Sequence, residues 1–202
     1  MTAIAYFITS IKNELLKLKR TFAFWLVIAS AFFIPIIFFL VYLFKTKAMI
    51  PKEGINPWDD YIAQQVTTII PFLLPLFIIL ITSLIIQVEH KSNAIKHIFT
   101  LPIPKWSIYF GKLTIVIISV FFSFTLFYGV MLAFGYLVGF IKPELKLTEF
   151  SPEYILSIKM IFRAFIAVLA MIGLQFWLSF RIKNFIGPLG IGMVLMITGL
   201  VL

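Results

Sequence analysis

The chain has 202 residues, of which 62% are apolar and 12% charged, and it contains no cysteine. A water-soluble domain of this length cannot hide so much apolar surface, so lipid is its solvent, and disulfide and thiolate chemistry are excluded. The net charge of +9 sits between apolar runs with no aromatic-plus-basic groove pattern, which points to topology signals and anionic lipid and away from nucleic acid.

Residues 1–20 do not read as a cleavable signal, because an amphipathic stretch comes first and the apolar run after it is too long. Ile4, Phe7, Ile8, Ile11, Leu15 and Leu18 recur at helical spacing on one face, while Lys12, Asn13, Lys17, Lys19 and Arg20 share the other. Glu14 sits at the apolar margin. The pattern predicts a helix lying in the membrane interface. Either it is an anchor only, or Glu14 and Lys17 also face a cytoplasmic partner.

Five membrane-length runs follow, at about 21–44, 61–87, 112–140, 160–180 and 185–202, forming a single transmembrane domain over 21–202. Ten-residue alternating segments are absent, so the predicted fold is an all-α helical bundle. Lys12, Lys17, Lys19, Arg20, Lys91, Lys96, Lys105, Lys112, Arg181 and Lys183 fall on one side of the membrane. The smaller set, Lys45, Lys47, Lys52, Lys142, Lys146, Lys159 and Arg163, falls on the other. That bias predicts a cytoplasmic N-terminus, and an odd number of spans then places Leu202 outside. Trp25, Trp58, Trp106, Tyr109 and Trp177 lie near span ends, where interfacial aromatics are expected.

Signs of catalysis are weak. Gly111-Lys112 lacks the preceding glycine and following hydroxyl of a nucleotide loop. Glu89-His90 and His97 lack the HExxH pairing and further ligands of a metal site. The expectation is no enzyme, no metal and no cofactor bound by this chain. Ion-coupled carriers place charges inside their spans; here only Arg163 approaches an interior, near an outer end where it can snorkel. Energy for any transport would come from another subunit. Pro71 and Pro75 leave the carbonyls of Thr67 and Pro71 without helical donors, bending the second span and exposing polar backbone to a cavity or a neighbouring helix. Gln64, Thr67, Thr68, Pro71 and Pro75 are the candidate substrate path. Gly135 and Gly139 form a small-xxx-small face suited to close packing.

The segment 88–111 is the longest polar interruption. Ser92 or Asn93 can cap a short helix carrying Ile95, Ile98 and Phe99 on one side, with Lys96 among its basic residues. Leu101-Pro102-Ile103-Pro104 then reverses the chain into Lys105-Trp106. By itself this is either an ordinary interfacial loop or an apolar knob that docks into a groove of a soluble protein.

The combination is more specific. IKNELLKLKR leads into the first span, and Glu89 is followed by LPIPKWSIYFGK. Together these resemble the permeases of type-2 ATP-binding-cassette (ABC) transporters, particularly small exporters of the lantibiotic-immunity and bacitracin-resistance kind. The resemblance implies that the opening helix and the loop after span two contact an ATPase subunit. Glu14, Lys17, Glu89, Ser92, Ile95, Lys96, Ile98 and Phe99 would then form the contact, with Pro102, Lys105 and Lys112 shaping the return. It also implies a second permease chain, homo- or heterodimeric, ATP held by the partner, a bacterial cell membrane, and an antimicrobial peptide, drug or lipid-like cargo. A sixth span with an outer re-entrant hairpin would be expected beyond Leu202. A reading from another class is a membrane immunity protein that sequesters a peptide without any ATPase.

Overall fold

In hydrocarbon a backbone must satisfy its own polar groups, so long apolar runs fold as helices. A computed structural model describes residues 3–51, 54–91 and 104–201, and among them there is no strand. Seven α-helices are described: α1 (Ala3–Leu18), α2 (Phe22–Phe44), α3 (Pro57–Thr68), α4 (Leu74–Lys91), α5 (Lys105–Ile141), α6 (Tyr154–Arg181) and α7 (Ile186–Val201). A single π-helical turn, Ile69–Leu73, joins α3 to α4, so the two make one span from Pro57 to Val88.

Four of these segments are long and apolar enough to cross a membrane, namely α2, α3–α4, α5 and α6. The predicted fifth span is the 16-residue α7, about 24 Å long at 1.5 Å per residue and shorter than a hydrocarbon core of about 30 Å. The third span was expected to start at Lys112, but α5 starts at Lys105 and runs 37 residues, roughly 55 Å, so part of it projects beyond the hydrocarbon. The fourth likewise begins at Tyr154 instead of 160.

The helices pack around two buried clusters stacked along the bundle. One, at the end carrying α1, includes Leu18, Val27, Ile78, Ile81, Ile85, Ile115, Val116 and Phe176. The other, at the opposite end, includes Ile34, Tyr42, Trp58, Tyr61, Val66, Met131, Leu145 and Leu147. Ile69, in the π turn, packs against both.

Trp58 was expected in the lipid interface with the other terminal aromatics. It is instead fully buried, while Trp25, Trp106 and Trp177 are exposed. Its indole N–H donates to the carbonyls of Leu147 (2.8 Å) and Phe150 (3.0 Å). Asn56 caps α3 and donates its amide to the Ser151 carbonyl. The 142–153 connection thus closes over the start of α3, and Lys146, in the left-handed region at φ 54°, lets Leu145 and Leu147 both turn inward.

The glycine face of α5 serves this packing. A Cβ on Gly135 would lie 2.5 Å from the Trp58 ring, and one on Gly139 would lie 3.0 Å from Leu147 and Thr148. The small-xxx-small pair is used within the chain.

Candidate functional site

At the α1 end, the helix meets α5 through Phe7, Ser10, Ile11, Glu14 and Leu18, a stripe with helical spacing. Phe7 stacks on Trp106 with ring centroids 6.2 Å apart. Ser10 lies over Gly111, where a Cβ would come within 2.5 Å of its hydroxyl. Glu14, 6% exposed, accepts a hydrogen bond from the Lys112 ammonium at 2.5 Å, and Lys112 is 1% exposed. Lys17, half-exposed, holds the other Glu14 oxygen at 2.7 Å.

The expected apolar face therefore splits in two. Phe7, Ile11 and Leu18 turn toward the protein, while Ile4, Ile8 and Leu15 stay exposed with Lys12 and Lys19 flanking them. This second stripe is the part suited to lipid. Glu14, expected to face a partner, is turned inward because a buried ammonium needs a counter-charge. Lys17 stands at the surface beside it, and Lys105 is exposed in the first turn of α5. Glu89 falls in the last turn of α4. Ser92, Ile95, Lys96, Ile98, Phe99 and Pro102 lie outside the described residues, as does His97.

The second span breaks where its prolines predict, but by a change of register. Pro71 and Pro75 carry no N–H, and the Leu74 N–H reaches back five residues to the Ile69 carbonyl. The result is a π turn. A cavity of about 40 Å³ lies beside it, lined by Ile69, Ile70, Leu74 and Phe77 and by Ser30 and Ser123. Those two hydroxyls are 2.8 Å apart and link α2 to α5.

The five predicted path residues do not share one lumen. Thr67 and Thr68 return their hydroxyls to their own helix, on the carbonyls of Ala63 and Gln64 at 2.7 Å each. Gln64 accepts from Tyr42 (3.4 Å) and lines a cavity of about 360 Å³ with Asp60, Met49 and Pro57. Pro75 lines a different groove, against α6. Pro71 is exposed in the π turn itself.

One polar knot was not anticipated. The Gln175 amide donates to Ser83 (3.2 Å) and to the Pro188 carbonyl (3.0 Å), and Ser83 also meets Ser179 at 3.3 Å. These bonds join α4, α6 and α7. Gly192 leaves room for them, since a Cβ there would lie 2.7 Å from the Gln175 side-chain oxygen Oε1.

A short opening helix fastened to a bundle of long apolar helices, one of them broken at its middle, defines a polytopic α-helical membrane protein. Residues 10–199 match the family model described as ABC-2 family transporter protein. The chain belongs to that family: it is a membrane permease subunit of an ABC transporter, and the family implies an ABC ATPase as partner. No curated protein and no solved structure matches the chain.

Proposed function

We propose that this permease is the membrane half of an ATP-driven exporter in a bacterial cell membrane, with α1 and the loop after α4 on the cytoplasmic side. The ATPase subunit docks at that end and supplies ATP binding and hydrolysis; the permease binds no nucleotide and catalyses nothing itself. Its cargo is an antimicrobial peptide, a drug or a lipid-like molecule, and a second permease chain completes the pathway.

The observation that supports this reading is the Glu14–Lys112 pair. It fastens the interfacial helix to α5, 37 residues long, so a push on that end reaches the bundle as a rigid-body motion. The π turn at Ile69–Leu73 lies between the two buried clusters and gives the second span a place to bend.

Co-expression and co-purification with a candidate ATPase tests the reading. Glu89→Arg and Phe99→Asp are expected to abolish the complex and the transport-coupled ATP hydrolysis. If both survive, the docking assignment is wrong. Full protection against a peptide in cells lacking every candidate ATPase would favour sequestration instead.

A further inference from the structure

Of the helices long enough to span, α6 is the least covered by the rest of the chain. Near its start it carries two exposed cations one turn apart, Lys159 and Arg163. With Ile70, Leu74 and Pro75 across the gap and Ala164 on the floor, they line a groove of about 580 Å³. That volume falls in the range of about 300–1,000 Å³ that takes a small ligand.

Depth sharpens the point. Trp177 and Arg181 mark the other end of α6, the Arg181 guanidinium lying 5.8 Å from the Trp177 ring. Measured back from Trp177, a core of about 30 Å covers roughly twenty residues of helix and so includes Arg163, with Lys159 near its far edge. Among the described residues, neither Lys159 nor Arg163 makes an ion pair or a side-chain hydrogen bond. A cation at that depth calls for a counter-charge or a route to the headgroups, and the groove walls facing it are aliphatic.

We propose that this groove binds an anionic phospholipid from the leaflet at the α5–α6 loop end. The Arg163 fork chelates the phosphate, a geometry that guanidinium suits, and Lys159, one turn nearer the headgroups, adds a point charge. One acyl chain lies along Ile70, Leu74, Pro75 and Ala164. Because Ile70 belongs to the π turn, the lipid rests on the bend of the second span. The site is independent of any ATPase contact, so its test does not depend on the proposed function.

Native mass spectrometry of the purified chain in neutral detergent, with added phosphatidylglycerol or phosphatidylcholine, tests this. The chain is expected to retain phosphatidylglycerol over phosphatidylcholine by on the order of tenfold or more. Lys159→Gln/Arg163→Gln should lose the preference, and Arg163→Lys should keep part of it. If the double variant does not fold, Ala164→Trp fills the floor with both cations intact and should also lose the lipid. Equal retention of the two lipids, or a preference that survives the double variant, would overturn the proposal. So would release of the lipid by excess inorganic phosphate, which would mean the anion is read without its chain. A disulfide between copies carrying Leu156→Cys in nanodiscs would also overturn it, by showing that a second copy covers the groove.

Discussion

Glu14 and Lys112 show how a charge can be readable in a sequence while its direction is not. At the apolar margin of α1, Glu14 is compatible with facing out or in. The choice is made by Lys112, 98 positions away, whose burial would be prohibitive without a carboxylate. Removing one member of a buried pair costs about 3–5 kcal/mol, whereas an exposed pair contributes about 0–1 kcal/mol. Glu14→Ala should therefore lower stability by about 3–5 kcal/mol in denaturant unfolding in detergent, and Lys17→Ala, whose ammonium is half-exposed, by less. The exchanged pair, Glu14→Lys with Lys112→Glu, should recover part of the loss. Trp58 gives a second residue-scale prediction. Trp58→Phe keeps a six-membered aromatic ring but removes the five-membered ring whose N–H is shared by the carbonyls of Leu147 and Phe150, and should cost at least the roughly 1–3 kcal/mol of leaving buried acceptors unpaired in the same measurement.

Among the elements, the second span carries the most consequence. Its two prolines were legible as a break, since the loss of an N–H can be counted from sequence. Whether the helix kinks or slips into a π turn depends on what packs beside it, and here a small cavity lies beside the changed register. The candidate path residues were harder to place, because a threonine that bonds back to its own helix and one that lines a lumen look the same in sequence. Pro71→Ala restores a donor inside the π turn. Hydrogen exchange should then slow for the amides of residues 69, 70 and 72–74, by about tenfold for each roughly 1.4 kcal/mol gained locally. Unchanged exchange would mean that packing, and not proline, sets the turn. The glycine pair of α5 is similar: its small-residue spacing was visible, but its true neighbours, Trp58 and Leu147, lie in other elements.

At the scale of the whole molecule, composition and run length were enough for an all-α membrane bundle, because only helices and closed barrels satisfy a backbone in lipid and the alternating segments of a barrel are absent. Span ends were less legible. Helices continue past the hydrocarbon into polar sequence, as α5 does through Lys105–Lys112, and hydropathy does not register that extension. The helix α1, the end of α4 and the start of α5 lie together at one end of the bundle, and the proposed mechanism requires that end to be cytoplasmic. The native chain has no cysteine, so single cysteines can report this without background. Intact cells expressing Leu16→Cys or Asp59→Cys would be treated with a membrane-impermeant maleimide, before and after permeabilisation. The expected result is labelling of Asp59→Cys in intact cells and of Leu16→Cys only after permeabilisation. Labelling of Leu16→Cys in intact cells would put α1 outside, where no ATP-hydrolysing subunit could drive it.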